Sequence, residues 1–177
     1  IYTTENDKIS TQQREVHWVS KINQALEENR FQLYFQKIKP LHDNEEKFMD
    51  HGEVLLRMTN KEGDIISPNM FLSAAERYNM ISLIDEWVIE NTIQWLSTRK
   101  QKILVSVNLS GKSISDKSFL NLVVSKIKQY RINPELLCIE ITETAAISHL
   151  TTAIHFMTVL KKLGCTFALD DFGSCLS

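Results

Sequence analysis

The chain has 177 residues, 43% hydrophobic and 24% charged, a balance that fits one sizeable domain with a buried core and excludes a disordered or collagen-like chain. A formal net charge of −2 leaves no basic footprint for a nucleic-acid polymer. No apolar run approaches the roughly 20 residues of a membrane-spanning helix.

The opening stretch, Ile1 to Gln13, is polar and without periodicity; residues 1–21 are expected to be a linker and helix that follow a preceding unit of a longer, cytoplasmic chain. From Gln12 to Asn29, Val16, Val19, Ile22 and Leu26 recur at spacings of three and four, which predicts a helix. Phe31, Leu33, Phe35 and Ile38 then alternate with polar residues up to Pro40, the pattern of a strand, and Leu41 to Lys47 reads as a polar turn. Gly52 to Met58 is a second strand. A helix from about Pro68, with Phe71 and Ala75, precedes another through Ile84, Trp87, Val88 and Trp95, both tryptophans being expected in the core.

Lys102 to Ser110 is the third strand, followed by a helix with Phe119, Leu122, Val123 and Ile127. Glu135 to Glu143 is the fourth, followed by Leu150, Ile154, Met157, Leu160 and Leu163 at helical spacing, with Gly164 as cap. Thr166 to Asp171 is the fifth. Strands separated by amphipathic helices predict a parallel α/β architecture. No Gly-rich phosphate turn follows the first strand, whereas polar residues recur at strand ends, so a TIM-type (β/α)₈ barrel fits better than an open doubly wound sheet. Five of its eight strand–helix units are expected in this chain.

Glu53, Asn108, Glu140, Asp170 and Asp171 gather at the strand ends and offer only hard oxygen donors. Such a set suits Mg²⁺, Mn²⁺ or Ca²⁺ rather than zinc or copper. The adjacent pair Asp170–Asp171 could serve two ions, the usual clamp for displacement at a phosphodiester. The three cysteines, Cys138, Cys165 and Cys175, are expected to be reduced and mostly buried. The five histidines (His17, His42, His51, His149, His155) show no shared ligand spacing and receive no chemical role.

The segments GEVLLR, VSVNLS, CIEITET and ALDDFGS, in that order and spacing, resemble the EAL domain, the cyclic-di-GMP phosphodiesterase of bacterial signalling. The likeness runs from Ile22 to Ser177, and the residues before it resemble the junction that follows a GGDEF domain in tandem proteins. It implies a metal-dependent hydrolase converting cyclic di-GMP to linear pGpG. Glu53, Asn108, Glu140 and Asp170 would ligate a first ion, Mg²⁺ or Mn²⁺, and Asp171 a second, with Glu53, Asp170 and Asp171 at the catalytic centre. Ca²⁺ would inhibit or serve structure. Gln36, Leu55 and Arg57 would line the dinucleotide site, Arg57 on a phosphate, as its planar fork suits. Glu143 would anchor the loop after the fifth strand, unless it only opens a helix. A homodimer through this domain, an upstream GGDEF or sensor domain and a possible inner-membrane tether of the parent are further implications.

Val54 stands for the family's Ala, Lys37 for a common Pro, and Cys175 for a loop Gly, where a β-carbon could strain the backbone. The family's later lysine and water-activating carboxylate would lie beyond Ser177, so the 177 residues alone are expected to turn over poorly. The alternative reading is a degenerate EAL module that binds cyclic di-GMP or a protein partner without hydrolysis.

Overall fold

The structure, a computed structural model, describes residues 17–39 and 50–171. The start of the predicted first helix, the polar turn after the first strand, and Gly173 and Cys175 lie outside the described residues. Within them the chain forms two compact units, one of residues up to Gln32 with Leu56–Ile81, the other of Leu33–Leu55 with Ser82 onward.

The first unit is nucleated by aromatic and aliphatic side chains. Helix α1 (residues 17–27) buries Ile22 and Ala25 completely, and ends where Asn29 adopts φ 53 and the Arg30 N–H donates to the Ala25 carbonyl. Strand β1 (Phe31–Ile38) starts immediately after. Phe71 is fully buried, with Phe31 at 5.9 Å and Trp18 at 6.5 Å between ring centroids. Burying one such ring stabilises by about 1.5–3 kcal/mol. The end of β2 (Asp50–Thr59) pairs antiparallel with β3 (Ile65–Ile66), an element the sequence pattern did not announce. The turn between them is closed by Asn60, whose side-chain oxygen accepts from the Asp64 N–H, and by Gly63 at φ 92. A 3₁₀ turn (Pro68–Met70) and α2 (Leu72–Arg77) complete the unit.

The second unit holds the sheet, in the order β1–β2–β4–β5–β6, with β4 Ile103–Asn108, β5 Leu137–Thr142 and β6 Thr166–Asp170. The pairs β2–β4, β4–β5 and β5–β6 are parallel, as expected of strands joined by helices. The first pair is of another kind. The Thr59 N–H donates to the Arg30 carbonyl at one end, while Lys37 pairs with Asp50 at the other, so β1 and β2 run in opposite directions. They approach closely at Gly52, where a Cβ would stand 2.7 Å from the Gln36 carbonyl oxygen. The helices are α3 (Ile81–Ser97), α4 (Gly111–Ile114), α5 (Lys117–Tyr130), α6 (Glu143–Ser148) and α7 (Leu150–Leu163).

Val105, Val107, Leu137, Ile139 and Ile141 occupy one face of the central strands and are wholly buried. On the helix layer, Phe119 of α5 stacks on Phe156 of α7 at 6.2 Å, and Phe156 meets Phe167 of β6 edge-on. The α7 face differs from expectation in part: Leu160 is inside as expected, but with Ala153 and Phe156, whereas Leu150 and Ile154 are 58% and 54% exposed. A small alanine and a phenylalanine define the inward stripe here, one position off the aliphatic one. Trp87 and Trp95 are half-buried rather than core, Trp95 lying against Phe35 with Arg99 over its ring. Phe35 and Ile38 are exposed because β1 ends the sheet order. Gly164 caps α7 in the left-handed region, φ 114, as predicted.

Candidate active site

Side chains alternate faces along a strand, so the registers decide which polar residues meet. Glu53 pairs with Ser106, Ser106 with Cys138, Asn108 with Glu140, Glu140 with Ala168, and Thr142 with Asp170. Glu53, Ser106, Asn108, Glu140 and Asp170 therefore share one face, opposite the apolar one. His51, two residues before Glu53, joins them. Going from β2 to β6, His51, Ser106, Glu140 and Asp170 form a diagonal that climbs two residues at each strand.

Three contacts organise this face. The Asn108 amide donates to the Glu53 carboxylate at 2.6 Å. His51 Nε2 lies 2.9 Å from the Ser106 hydroxyl, which is fully buried. Register sets that hydroxyl diagonally beside Glu140, on the next strand and two residues further on. Burial pushes the Glu140 carboxyl above its ordinary value; the Ser106 hydroxyl opposes this, the nearby Glu53 and Asp170 carboxylates add to it, and His51 opposes it. Asp170 accepts from the Asp171 N–H at 2.9 Å, and Asp171 adopts φ 55, a left-handed conformation that Asp tolerates better than most residues.

The backbone that carries Asn108 is held from behind. Asp85 of α3, 6% exposed, accepts from the Ser110 N–H, the Ser110 hydroxyl (2.6 Å) and the Ser113 hydroxyl (2.6 Å). Ser110 is the N-cap of α4, so one buried carboxylate fixes the turn between strand end and helix start.

Of the expected site residues, the sheet brings Glu53, Asn108, Glu140 and Asp170 to one face, with Asp171 at its end. They do not close into a chelate: among the described residues, no three His, Cys, Asp or Glu side chains stand together as a metal group. One Glu53 oxygen accepts from Asn108, and the three carboxylates repel one another across the face. The donor set nonetheless fits a hard divalent cation, since it is all oxygen and its central carboxyl is burdened by like charges. Glu143 is the first residue of α6, behind the N-cap Thr142, so the helix-opening role is realised. Leu55 is half-buried and Gln36 exposed on their strands. Arg57 lies in the first unit, half-buried, with Nη1 donating to the Leu56 carbonyl at 2.7 Å. Sequence reasoning passed over His51, Ser106 and Asp85; the two-residue step from His51 to Glu53 and from Ser106 to Asn108 was the available signal.

Comparison with known proteins follows the same residues. The family model described as EAL domain matches residues 19–177. The chain is 36% identical over 98% of its length to the cyclic di-GMP phosphodiesterase PdeB of Shewanella oneidensis, covering 20% of that protein. It is 33% identical over 90% of its length to the cyclic di-GMP phosphodiesterase PdeF of Escherichia coli, covering 21%. The chain thus spans about a fifth of the length of these curated relatives. The crystal structure of the FimX EAL domain from Pseudomonas aeruginosa bound to c-di-GMP superposes with a TM-score of 0.80 and 34% identity, covering 88% of this chain and 62% of that one. The parallel α/β pairing described above is the fold of those EAL structures.

Proposed function

This chain belongs to the EAL domain family, and from that premise we propose that the protein carrying it is a cyclic-di-GMP phosphodiesterase that opens the ring to linear pGpG. The observation that supports this most is the placement of Glu53, Asn108, Glu140 and Asp170 on one face of four adjacent parallel strands. In this reading these four would hold a first Mg²⁺ or Mn²⁺ and Asp171 a second, the ions supplying Lewis acidity and an activated water. Ca²⁺ would occupy the site without supporting turnover. Arg57 would bind a substrate phosphate through its guanidinium, and Gln36 and Leu55 would line the dinucleotide site with it. Glu53, Asp170 and Asp171 orient the reacting groups, so that water adds to phosphorus as one P–O bond to a ribose oxygen breaks. That oxygen leaves with a proton.

Glu143, at the start of α6, would couple the loop after β6 to the site. Residues 1–21 would join the domain to an upstream GGDEF or sensor module, with a homodimer through the EAL domain and action in the cytoplasm. No helix among the described residues is long and apolar enough to cross a membrane.

The test is incubation of the full-length protein with cyclic di-GMP in Mg²⁺, Mn²⁺ or Ca²⁺, with product read by chromatography. Linear pGpG in Mg²⁺ or Mn²⁺, absent in Ca²⁺, is expected. Saturable binding of cyclic di-GMP with no product in any metal would overturn the phosphodiesterase reading in favour of a receptor module.

A further inference from the structure

Away from the strand-end carboxylates, the first unit holds a cleft of about 330 Å³ between α1 and the turn that joins β2 to β3. Three fixed cations line it, Lys21, Arg30 and Lys61, in a chain whose net charge is −2. Glu62 is the one carboxylate among the lining residues. The fully buried Met58 and the half-buried Ile66 supply its apolar part. Asn60 also borders it, but its side chain is engaged by Asp64 and shapes the turn.

Arg30 separates this cleft from an ordinary solvent notch. Its side chain is only 15% exposed, with Nε donating to Glu28 at 2.7 Å and Nη1 to the Thr59 carbonyl at 2.6 Å. A guanidinium carries five donors in one plane, and among the described residues nothing accepts from its Nη2. Two partners thus lock the plane, while the residue lines an open volume with donors unmatched. Charged groups this far from water ordinarily have partners for their protons. Lys21 is steadied as well, its Nζ 4.7 Å from the centroid of the Trp18 ring. Successive strand side chains point to opposite faces, so Met58 faces away from Glu53, Leu55 and Arg57 on β2. The cleft is therefore not the phosphate position proposed for Arg57.

We propose that this cleft binds a small soluble phosphomonoester, its phosphate held by Arg30, Lys21 and Lys61 and its body packed on Met58 and Ile66. An arginine fork matches two phosphate oxygens, and lysines add point charge around them. A phosphate suits the three cations better than a carboxylate, because its three oxygens give each cation an acceptor. The volume lies at the lower end of small-molecule sites, about 300–1,000 Å³. That fits a head group with one ring.

The experiment is a titration of the full-length protein with phenyl phosphate, followed by methyl NMR of Met58 and Ile66, without divalent cation. Both methyls should shift saturably, and phenol, the same ring without the phosphate, should leave them in place. Lys61→Glu and Arg30→Lys should each weaken binding by about tenfold or more, the loss of one charge-assisted hydrogen bond. No saturable shift up to about 10 mM, weaker than the millimolar end of specific binding, would overturn the proposal. So would equal binding by the wild type and Lys61→Glu, a surface change that keeps the fold should Arg30→Lys lose it. Capture on vesicles containing phosphatidic acid, with no response to phenyl phosphate, would replace the soluble ligand by a lipid head group and overturn it too.

Discussion

Glu140 carries an electrostatic load that a substitution can expose. Its carboxyl is raised by burial and by Glu53 and Asp170, so the native state binds that proton more tightly than the unfolded chain does. The sign follows: stability from this group is present below the ordinary carboxylate value and is lost as pH rises through the raised one. Glu140→Gln should therefore raise the metal-free melting temperature at pH 7 while abolishing Mn²⁺ binding. A lowered melting temperature would show that Glu140 is held by favourable contacts instead. Cys165 behaves in a simpler way. Burial first, and Cys138 second, push its thiol up to about 11. Stability from the neutral thiol is present below its ordinary value near 9 and lost as pH rises toward about 11. Native alkylation at pH 8 should leave Cys165 unmodified by peptide mass mapping, and denaturation should make it react. Its reduced, buried state was legible in the sequence because apolar strand residues flank it; its proximity to Cys138 was not.

At the scale of elements, the turn from β4 into α4 depends on a helix remote in sequence. Asp85 lies 25 and 28 residues before its partners Ser110 and Ser113. Asp85→Ala would strand a backbone N–H and two hydroxyls in a buried setting, at about 2–3 kcal/mol. Urea denaturation should show that loss, and Asp85→Asn should recover part of it through its remaining carbonyl oxygen. Because the same turn carries Asn108, the variant should also weaken Mn²⁺ binding. A loss below about 0.5 kcal/mol, the range of ordinary surface substitutions, would remove Asp85 from this role. The strand and helix order was readable from period-2 and period-3.6 patterns, and Gly164 from its place after the last apolar residue. The inward stripe of α7 was not. Leu150 and Ile154 have the hydrophobicity of core residues, but the partner rings Phe119 and Phe167 select Phe156.

For the molecule as a whole, binding a cation to the folded sheet and not to the unfolded chain must raise stability by mass action. At about 100 times Kd the gain is about 2.7 kcal/mol, and for a domain of this size each kcal/mol shifts the melting temperature by about 2–4 °C. Mn²⁺ should therefore raise the melting temperature of the wild type by several degrees, and that of Glu140→Gln by almost nothing. Scanning calorimetry with and without Mn²⁺ measures both. An equal shift in the two proteins would place the cation elsewhere.

The sequence by itself determined the α/β class and the order of the main strands and helices, and it marked the oxygen-bearing residues at the strand ends, because each is written in local periodicity or in an ordered motif. Only the tertiary structure decided the reversed direction of β1, the β3 hairpin, and the company of Glu140. Register is a relation between strands tens of residues apart, and no local pattern states it. That relation alone sets His51, Ser106 and Glu140 on one diagonal, which is why a histidine without ligand spacing came to stand beside the site.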